Sequence, residues 1–173
     1  MPKFEIFLDY TCPYCNKGFR LYETARAELT APQEAGELIP VEAHPRGEEP
    51  WHRPYADLAA QGALYFKARG LDVYEYSRRL YDAIHTDKRD PEDVAVLSGC
   101  AAAACGTLDA EDFANALQNG EFADKLNENN DYAYNKRGVW AVPTFVASNI
   151  RLDAAEGVGV TAEQVAAFIA AAE

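Results

Sequence analysis

Cys12 and Cys15 are the residues of this sequence best suited to chemistry, because two thiols three positions apart can hold a metal, close a structural disulfide, or exchange electrons. They lie in the stretch DYTCPYC, residues 9–15. The apolar run FEIFLDY ends just before the pair, and NKGFRLYETARAEL follows it with apolar residues at helical spacing. The pattern therefore predicts that the pair lies where a strand passes into a helix.

This placement predicts different roles for the two thiols. We expect Thr11 or Cys12 to cap the helix and Pro13 to occupy its first turn. Unpaired N–H groups at a helix N-terminus favour a thiolate, so the pKa of Cys12 should fall. Cys15 would lie about 5 Å from Cys12 between Cα atoms, shielded by the helix turn. Cys12 is then the attacking thiol and Cys15 the resolving thiol, with Pro13 and Tyr14 tuning the thiolate between them.

A second cysteine pair, Cys100 and Cys105, lies in the stretch SGCAAAACG. Four thiolates are enough for a structural zinc site, so a metal-binding or scaffold domain is one alternative. The alanine run instead favours a regular helix, on which residues five apart have Cα atoms about 8.7 Å apart, beyond the roughly 7 Å limit for a disulfide. We interpret the pair as small buried core residues and keep a second redox pair, exchanging with the first, as the alternative.

Two further side chains near the first pair are candidates for roles. Asp9 is either a buried carboxylate that relays protons when Cys15 attacks or leaves, or a solvated strand end. His44 follows the second predicted strand and approaches the site from there, although a lone histidine is more often a surface residue. We assign no role to four other polar or aromatic residues: Lys17, Trp51, His52 and His85.

The remaining elements alternate in a way that predicts an α/β fold with parallel strands. The chain reads as a strand at 3–9, a helix, a second strand in ELIPVEAHP, and an almost wholly helical stretch from about 49 to 138. A β segment in VWAVPTFVAS, a further strand and a helix opened by a capping box close the chain. Pro143 interrupts the β segment, so it is either an edge-strand proline or a cis peptide.

Composition narrows the classes of function. The chain has 173 residues and a net charge of −12, which argues against a nucleic-acid partner. No stretch approaches the roughly 18 to 20 apolar residues of a membrane span. The sequence opens without a signal-peptide pattern, so we expect a cytoplasmic monomer, or a periplasmic protein if the sequence is a trimmed mature form.

The order FLDYTCPYC, a long helical stretch, NNDYAYNKRGVWAVPTF and a terminal amphipathic helix resembles the DsbA-like branch of the thioredoxin-fold thiol–disulfide oxidoreductases, a bacterial family. The resemblance implies a thioredoxin-like core at 1–48 and 121–173, a mixed sheet flanked by helices, with a helical insertion at 49–120. It further implies that Cys12 is the nucleophile, that Cys15 resolves, and that Pro143 is a cis-proline opposite them. Val142 would then offer its backbone to an incoming peptide.

The expected activity is disulfide exchange with protein, peptide or small thiol substrates. The resemblance implies no tightly bound cofactor and no metal, with a reductase or glutathione as the electron-transfer partner. Cys-Pro-Tyr-Cys is also the usual glutaredoxin tetrapeptide, so glutathione as a co-substrate stays open. A glutathione-dependent transferase or isomerase of related fold is the enzymatic alternative, although the intact Cys12 and Cys15 pair argues against it.

Overall fold

A four-stranded mixed sheet lies at the centre of the computed structural model, which describes residues 2–31, 35–47 and 53–173. Its strands are β1 (Phe4–Leu8), β2 (Glu37–Pro40), β3 (Thr144–Ala147) and β4 (Arg151–Asp153). The order across the sheet is β2-β1-β3-β4, with β1 parallel to β2 and the other pairs antiparallel. Residues 9–12 therefore follow the carboxyl end of a central strand, β1.

β1 is buried on both faces, as its apolar sequence predicts. Phe4, Ile6 and Leu8 belong to the larger core, which includes residues of the helices on one face of the sheet. Phe7 points to the opposite face and packs in a smaller cluster with Ile39. Because both faces are covered, a shift of this strand by one residue would exchange two apolar surfaces rather than expose one.

Seven α-helices surround the sheet within the described residues: α1 (Pro13–Arg26), α2 (Asp57–Ala68), α3 (Val73–Tyr81), α4 (Val94–Ala104), α5 (Ala110–Gln118), α6 (Ala123–Asp131) and α7 (Ala162–Ala171). Cys12 caps α1 and Pro13 opens it, as predicted. The helix ends at Arg26, so the expectation that it reaches Leu29 is wrong. None of these helices is long and apolar enough to cross a membrane.

Helices α2 to α6 lie between β2 and β3 in the chain, and no strand occurs in the described stretch 53–138. The predicted thioredoxin-like fold with a helical insertion is confirmed. The division into 1–48, 49–120 and 121–173 stays a prediction; its first boundary, with Trp51 and His52, lies outside the described residues. Asp93 caps α4 and Asp109 caps α5, each accepting a backbone N–H of the first turn through its carboxylate.

The stretch before β3 differs from the prediction of a β segment over VWAVPTFVAS. The strand begins only at Thr144, and residues 138–143 form a loop. Pro143 has no N–H to donate to a strand ladder. The hydroxyl of Thr144 also donates to Ala141 O at 2.7 Å, which holds the chain in a turn instead of an extended conformation.

Two short π-helical turns continue α3 and α6, at Asp82–Thr86 and Tyr132–Lys136. The two turns end alike: the residue two positions beyond each has a positive φ, 56° at Lys88 and 62° at Gly138. Sequence patterns gave no sign of either turn. Both turns matter for the site. The turn at Asp82–Thr86 contacts the loop after β1 through His85, and the turn at Tyr132–Lys136 leads into the loop before β3.

Candidate active site

The CPYC stretch lies at the junction between β1 and α1, so the fold itself places its two thiols. Cys12 has an extended backbone and its N–H donates to Asp9 O at 3.3 Å, while its carbonyl accepts the Asn16 N–H of α1 at 3.1 Å. Cys12 is half-buried and Cys15, one helical turn on, is fully buried. The structure therefore exposes one sulfur and hides the other.

The pKa of the Cys12 thiol is lowered from its ordinary value. The largest cause is a hydrogen bond from the Cys15 thiol, and the backbone N–H groups of Cys15 and Tyr14 at the helix N-terminus add to it. Partial burial and the charge of Asp9 act in the opposite direction. The predicted fall is confirmed, and a thiolate at Cys12 is the form that attacks disulfides.

The pKa of Cys15 moves the other way, well above its ordinary value, first because of burial and then because its proton is held in the hydrogen bond to Cys12. The N–H of Asp9 donates to Cys15 Sγ at 3.4 Å. Cys15 thus stays a thiol while Cys12 ionises, which is the division of roles that the helix position predicts.

Asp9 is buried, with 2% of its surface exposed, so the interpretation as a solvated strand end is wrong. Its Oδ1 accepts from the N–H and the hydroxyl of Thr11, each at 2.7 Å, and its Oδ2 accepts from Ala43 N–H at 2.8 Å. The carboxylate therefore joins the loop after β1 to the loop after β2. Its backbone, rather than its carboxylate, contacts the Cys15 sulfur.

Val142 and Pro143 lie opposite the thiols, and the peptide bond between them is cis. Cys12 Sγ is 4.0 Å from Val142 O, although 130 residues separate them in sequence. Gly18 of α1 allows this approach, because a Cβ there would stand 2.7 Å from Pro143 Cγ. The resemblance brought Val142 and Pro143 to attention, but nothing in the sequence indicated Gly18.

A cleft of about 370 Å³ opens on the other side of Cys12. It is lined by Asp9, Thr11, Cys12, Pro13, Tyr14, Ala43, His44, Arg53 and Pro54. His44 therefore does approach the site from the loop after β2, and its side chain is exposed there. The predicted residues Asp9, Cys12, Pro13 and Tyr14 come together in one cleft with it.

Large apolar side chains are exposed on the helix and loops that carry the site residues. Tyr14 is 40% exposed, Val158 49% and Trp140 70%. Tyr14 packs on Gly159, where a Cβ would stand 3.1 Å from the ring, and Lys17 Nζ donates to Val158 O at 3.1 Å. Lys17 thus holds the loop beside Tyr14, a contact that its sequence position did not reveal.

Two side chains of the helical insertion bind backbone carbonyls of the loop after β1. Tyr81 of α3 donates its hydroxyl proton to Asp9 O at 3.3 Å, and His85 Nε2 lies 2.9 Å from Tyr10 O. Burial lowers the pKa of His85. Sequence reasoning gave His85 no role, because only the fold brings a residue 75 positions away onto this backbone.

Cys100 and Cys105 are both free thiols. Cys100 is buried and lies 3.8 Å from Arg79 O, whereas Cys105 is half-exposed beside Thr107, so burial of both residues was a wrong expectation. The N–H of Cys105 still donates to Ala101 O at 2.9 Å, which keeps it at helical spacing from Cys100. Across the described ranges, no three His, Cys, Asp or Glu side chains are grouped to hold a metal. A second redox role stays a prediction.

Comparison with known proteins identifies the family of the chain. The model of the DSBA-like thioredoxin domain matches residues 52–160. The chain belongs to the DSBA-like thioredoxin family. This DsbA-like chain is 24% identical over 185 residues to the uncharacterized protein YwbO of Bacillus subtilis, an alignment that covers 88% of the chain and 90% of that protein.

Solved structures show the fold of this DsbA-like chain independently. It superposes on DsbA of Chlamydia trachomatis with a TM-score of 0.74 at 18% identity, covering 96% of this chain and 84% of that one. It superposes on a probable DsbA oxidoreductase of Streptomyces coelicolor with a TM-score of 0.73 at 18% identity, covering 96% and 87%. The family confirms the predicted enzyme class, a DsbA-like thiol–disulfide oxidoreductase.

Proposed function

We propose that the chain exchanges disulfides with protein, peptide or small thiol substrates through Cys12 and Cys15. The observation that carries the proposal is the opposite displacement of the two pKa values: lowered at the half-buried Cys12, raised at the buried Cys15. This favours the thiolate at the accessible sulfur and keeps a proton on the thiol beside it. That combination suits a two-step exchange.

The first step is attack by the Cys12 thiolate on a sulfur of the substrate disulfide. A bond forms between Cys12 Sγ and that sulfur, and the other substrate sulfur leaves as a thiolate. In the second step Cys15 loses its proton and attacks Cys12 Sγ, which closes the Cys12–Cys15 disulfide and releases the remaining substrate sulfur. The substrate gains two electrons and the enzyme dithiol loses two; the same steps run in reverse oxidise a substrate dithiol.

Val142 supports a role for peptide substrates. Its carbonyl lies 4.0 Å from Cys12 Sγ, on a loop rather than inside the sheet. A peptide bound in extended form beside this loop can pair with the Val142 backbone and bring its own sulfur to Cys12. Two exposed rings can give such a peptide apolar contacts: Tyr14 lies between the two cysteines, and Trp140 lies on the same loop as Val142.

Glutathione is the proposed small co-substrate. The cleft beside Cys12 has the size range of small-ligand pockets, and Arg53 on its wall, which binds Glu92 through Nε and Nη2, has five N–H donors and can bind a carboxylate as well. Glutathione or a reductase would return the Cys12–Cys15 pair to its starting state after each cycle. No tightly bound cofactor enters this chemistry, since both electrons reside on the two sulfurs.

Serine variants of the two cysteines test the proposal. Cys12→Ser removes the attacking thiolate, so turnover of a peptide disulfide should fall to the uncatalysed rate. Cys15→Ser leaves attack intact but removes resolution, so a mixed disulfide with Cys12 should accumulate and be visible by mass spectrometry. Full dithiol activity in Cys12→Ser would falsify the proposal, and Cys105→Ser, at a half-exposed thiol of the insertion, shows whether the second cysteine pair takes part.

A further inference from the structure

The loop that carries Val142 is attached to the molecule at several points: Val139 is buried and its N–H donates to Ala133 O at 2.9 Å, and a side chain on the neighbouring strand binds the start of the loop. Arg151 of β4 donates from Nη1 to Arg137 O at 2.5 Å and from Nη2 to Gly138 O at 2.7 Å. These carbonyls follow the second π-helical turn, where a helix C-terminus leaves acceptors without intrahelical partners. A cation there is favoured by the helix dipole as well as by the hydrogen bonds.

Asp153 extends this attachment to the other end of the loop. It binds the Nε of Arg151 at 2.8 Å, and its Oδ1 lies 3.3 Å from the hydroxyl oxygen of Thr144. The same hydroxyl donates to Ala141 O, and Ala154 N–H donates to Pro143 O at 3.1 Å. Residues 138–143 are therefore held at both ends by β4 and its neighbours.

The strand register explains why these side chains meet. Thr144 and Asp153 are cross-strand partners in the β3–β4 pair, and Arg151 lies two residues before Asp153 on the same face of β4. Arg151 and Asp153 side chains are 31% and 25% exposed, and Thr144 is fully buried. Between the two attachments Trp140 is exposed, Ala141 and Val142 are partly buried, and Val139 is buried.

We propose that Arg151 is a positioning residue for peptide exchange: it fixes the 138–143 loop so that Val142 O stays beside Cys12 Sγ. The inference rests on the proposed function and adds a specificity device to it. A planar guanidinium bonds two carbonyls and a carboxylate at once, which a lysine ammonium on a flexible stem does not reproduce. A substrate without a peptide backbone does not use Val142 and should not sense the change.

The experiment compares two substrates across three variants of the full chain. The substrates are a peptide disulfide and bis(2-hydroxyethyl) disulfide, and the variants are Arg151→Met, Arg151→Lys and Arg69→Met. Arg69 is the matched control: a half-exposed arginine of the insertion, 36% exposed, that pairs with Asp112. We expect kcat/KM for the peptide to fall roughly 10- to 100-fold in Arg151→Met. The kcat/KM for the peptide should fall less in Arg151→Lys and stay at the wild-type value in Arg69→Met.

The rate with the hydroxyethyl disulfide and the pKa of Cys12 should stay at their wild-type values in all three variants. Equal losses on both substrates, or no loss on the peptide, would overturn the inference. If Arg151→Met does not fold, Arg151→Lys, which keeps the charge, carries the comparison. A wild-type chain inactive on both substrates would overturn the proposed function and this inference with it. An active wild type whose kcat/KM for the peptide is matched by the Arg151 variants would overturn the inference alone.

Discussion

Gly18 and Pro143 touch across the site: a Cβ at Gly18 would lie 2.7 Å from Pro143 Cγ and 3.3 Å from Val160 Cγ2. Helix α1, whose N-cap is Cys12 and whose first turn contains Cys15, can therefore approach the Val142 loop only because position 18 has no side chain. The contact couples the thiols on one element to the peptide-binding backbone on another. A glycine in mid-helix costs about 1 kcal/mol relative to alanine, so its presence here marks a steric requirement.

Gly18→Ala should lower both stability and activity. The helix gains about 1 kcal/mol, but overpacking against a rigid proline costs about 1–3 kcal/mol, for a net loss of up to about 2 kcal/mol. Displacement of Pro143 should also move Val142 O away from Cys12 and lower kcat/KM for a peptide disulfide. Gly99→Ala in α4 is the control: no heavy atom lies within 4 Å of its Cβ position. That variant should gain up to about 1 kcal/mol in urea unfolding, and a gain of the same size at Gly18 would contradict the steric argument.

Lys88→Gly should stabilise the chain. Lys88 has a φ of 56°, the left-handed conformation that costs a side-chain-bearing residue about 1–2 kcal/mol. Glycine relieves this cost but adds about 0.5–1 kcal/mol of chain entropy in the unfolded state, so the net gain is about 0.5–1 kcal/mol. Gly138, at the same point of the second π-helical turn, already uses this solution.

Gly70→Ala is the converse substitution, since it places a side chain at a position with positive φ, and thermal unfolding measures both variants. Gly70 has a φ of 65° with no heavy atom within 4 Å of its Cβ position, so the substitution tests backbone conformation alone. Thermal unfolding should show a loss of about 1 kcal/mol at Gly70 and a gain at Lys88. A loss at both positions would mean that the Lys88 side chain contributes more than its backbone conformation costs.

The local sequence predicts those parts of the fold that local rules govern. The two-sided apolar pattern of β1, the Cys12 cap with Pro13 after it, and the capping box of α7 between Thr161 and Gln164 all appear as expected. Each depends on residues within a few positions of one another. The same locality explains why the acidity of Cys12 was predictable: its causes lie within three residues.

Contacts between distant residues could not be predicted in this way. Gly18 beside Pro143, His85 behind Tyr10 and Arg151 on Gly138 O depend on the fold that brings separate elements together. The start of β3 was misplaced for a related reason. The β propensity of VWAV favours a strand, but the hydrogen bond from Thr144 to Ala141 O and the bond from Arg151 of β4 to Gly138 O hold those residues in a loop.

The reduction potential of the Cys12/Cys15 pair should depend on pH with a break at the pKa of Cys12. Below that pKa, reduction takes up two protons per two electrons, and the potential falls by about 59 mV per pH unit. Above it Cys12 remains a thiolate, one proton is taken up, and the slope drops to about 30 mV per pH unit. Because the pKa of Cys12 is lowered and that of Cys15 raised, the break should lie below the ordinary thiol value of 9.0, with none for Cys15 until well above it.

Equilibration against glutathione buffers across this pH range measures the break, with a Cys100→Ser/Cys105→Ser double variant as control. Two breaks close together near 9.0 would contradict the division of roles between the thiols. The potential itself indicates direction: roughly −120 to −180 mV is typical of an oxidant or isomerase, and roughly −230 to −270 mV of a reductase. A different value in the double variant would show that the second pair exchanges with the first.

Asp9→Asn should lower the pKa of Cys12 further and separate two roles of this carboxylate. The negative charge of Asp9 raises the pKa of both Cys12 and Cys15, so its removal makes both thiols more acidic. If Asp9 also accepts the proton that Cys15 loses during resolution, the mixed disulfide should persist longer in the variant, despite the more acidic thiol. Asp112→Asn, which removes an exposed charge from the insertion, should change neither quantity. A lower Cys12 pKa with an unchanged or shorter mixed-disulfide lifetime would confine Asp9 to an electrostatic role and exclude the relay.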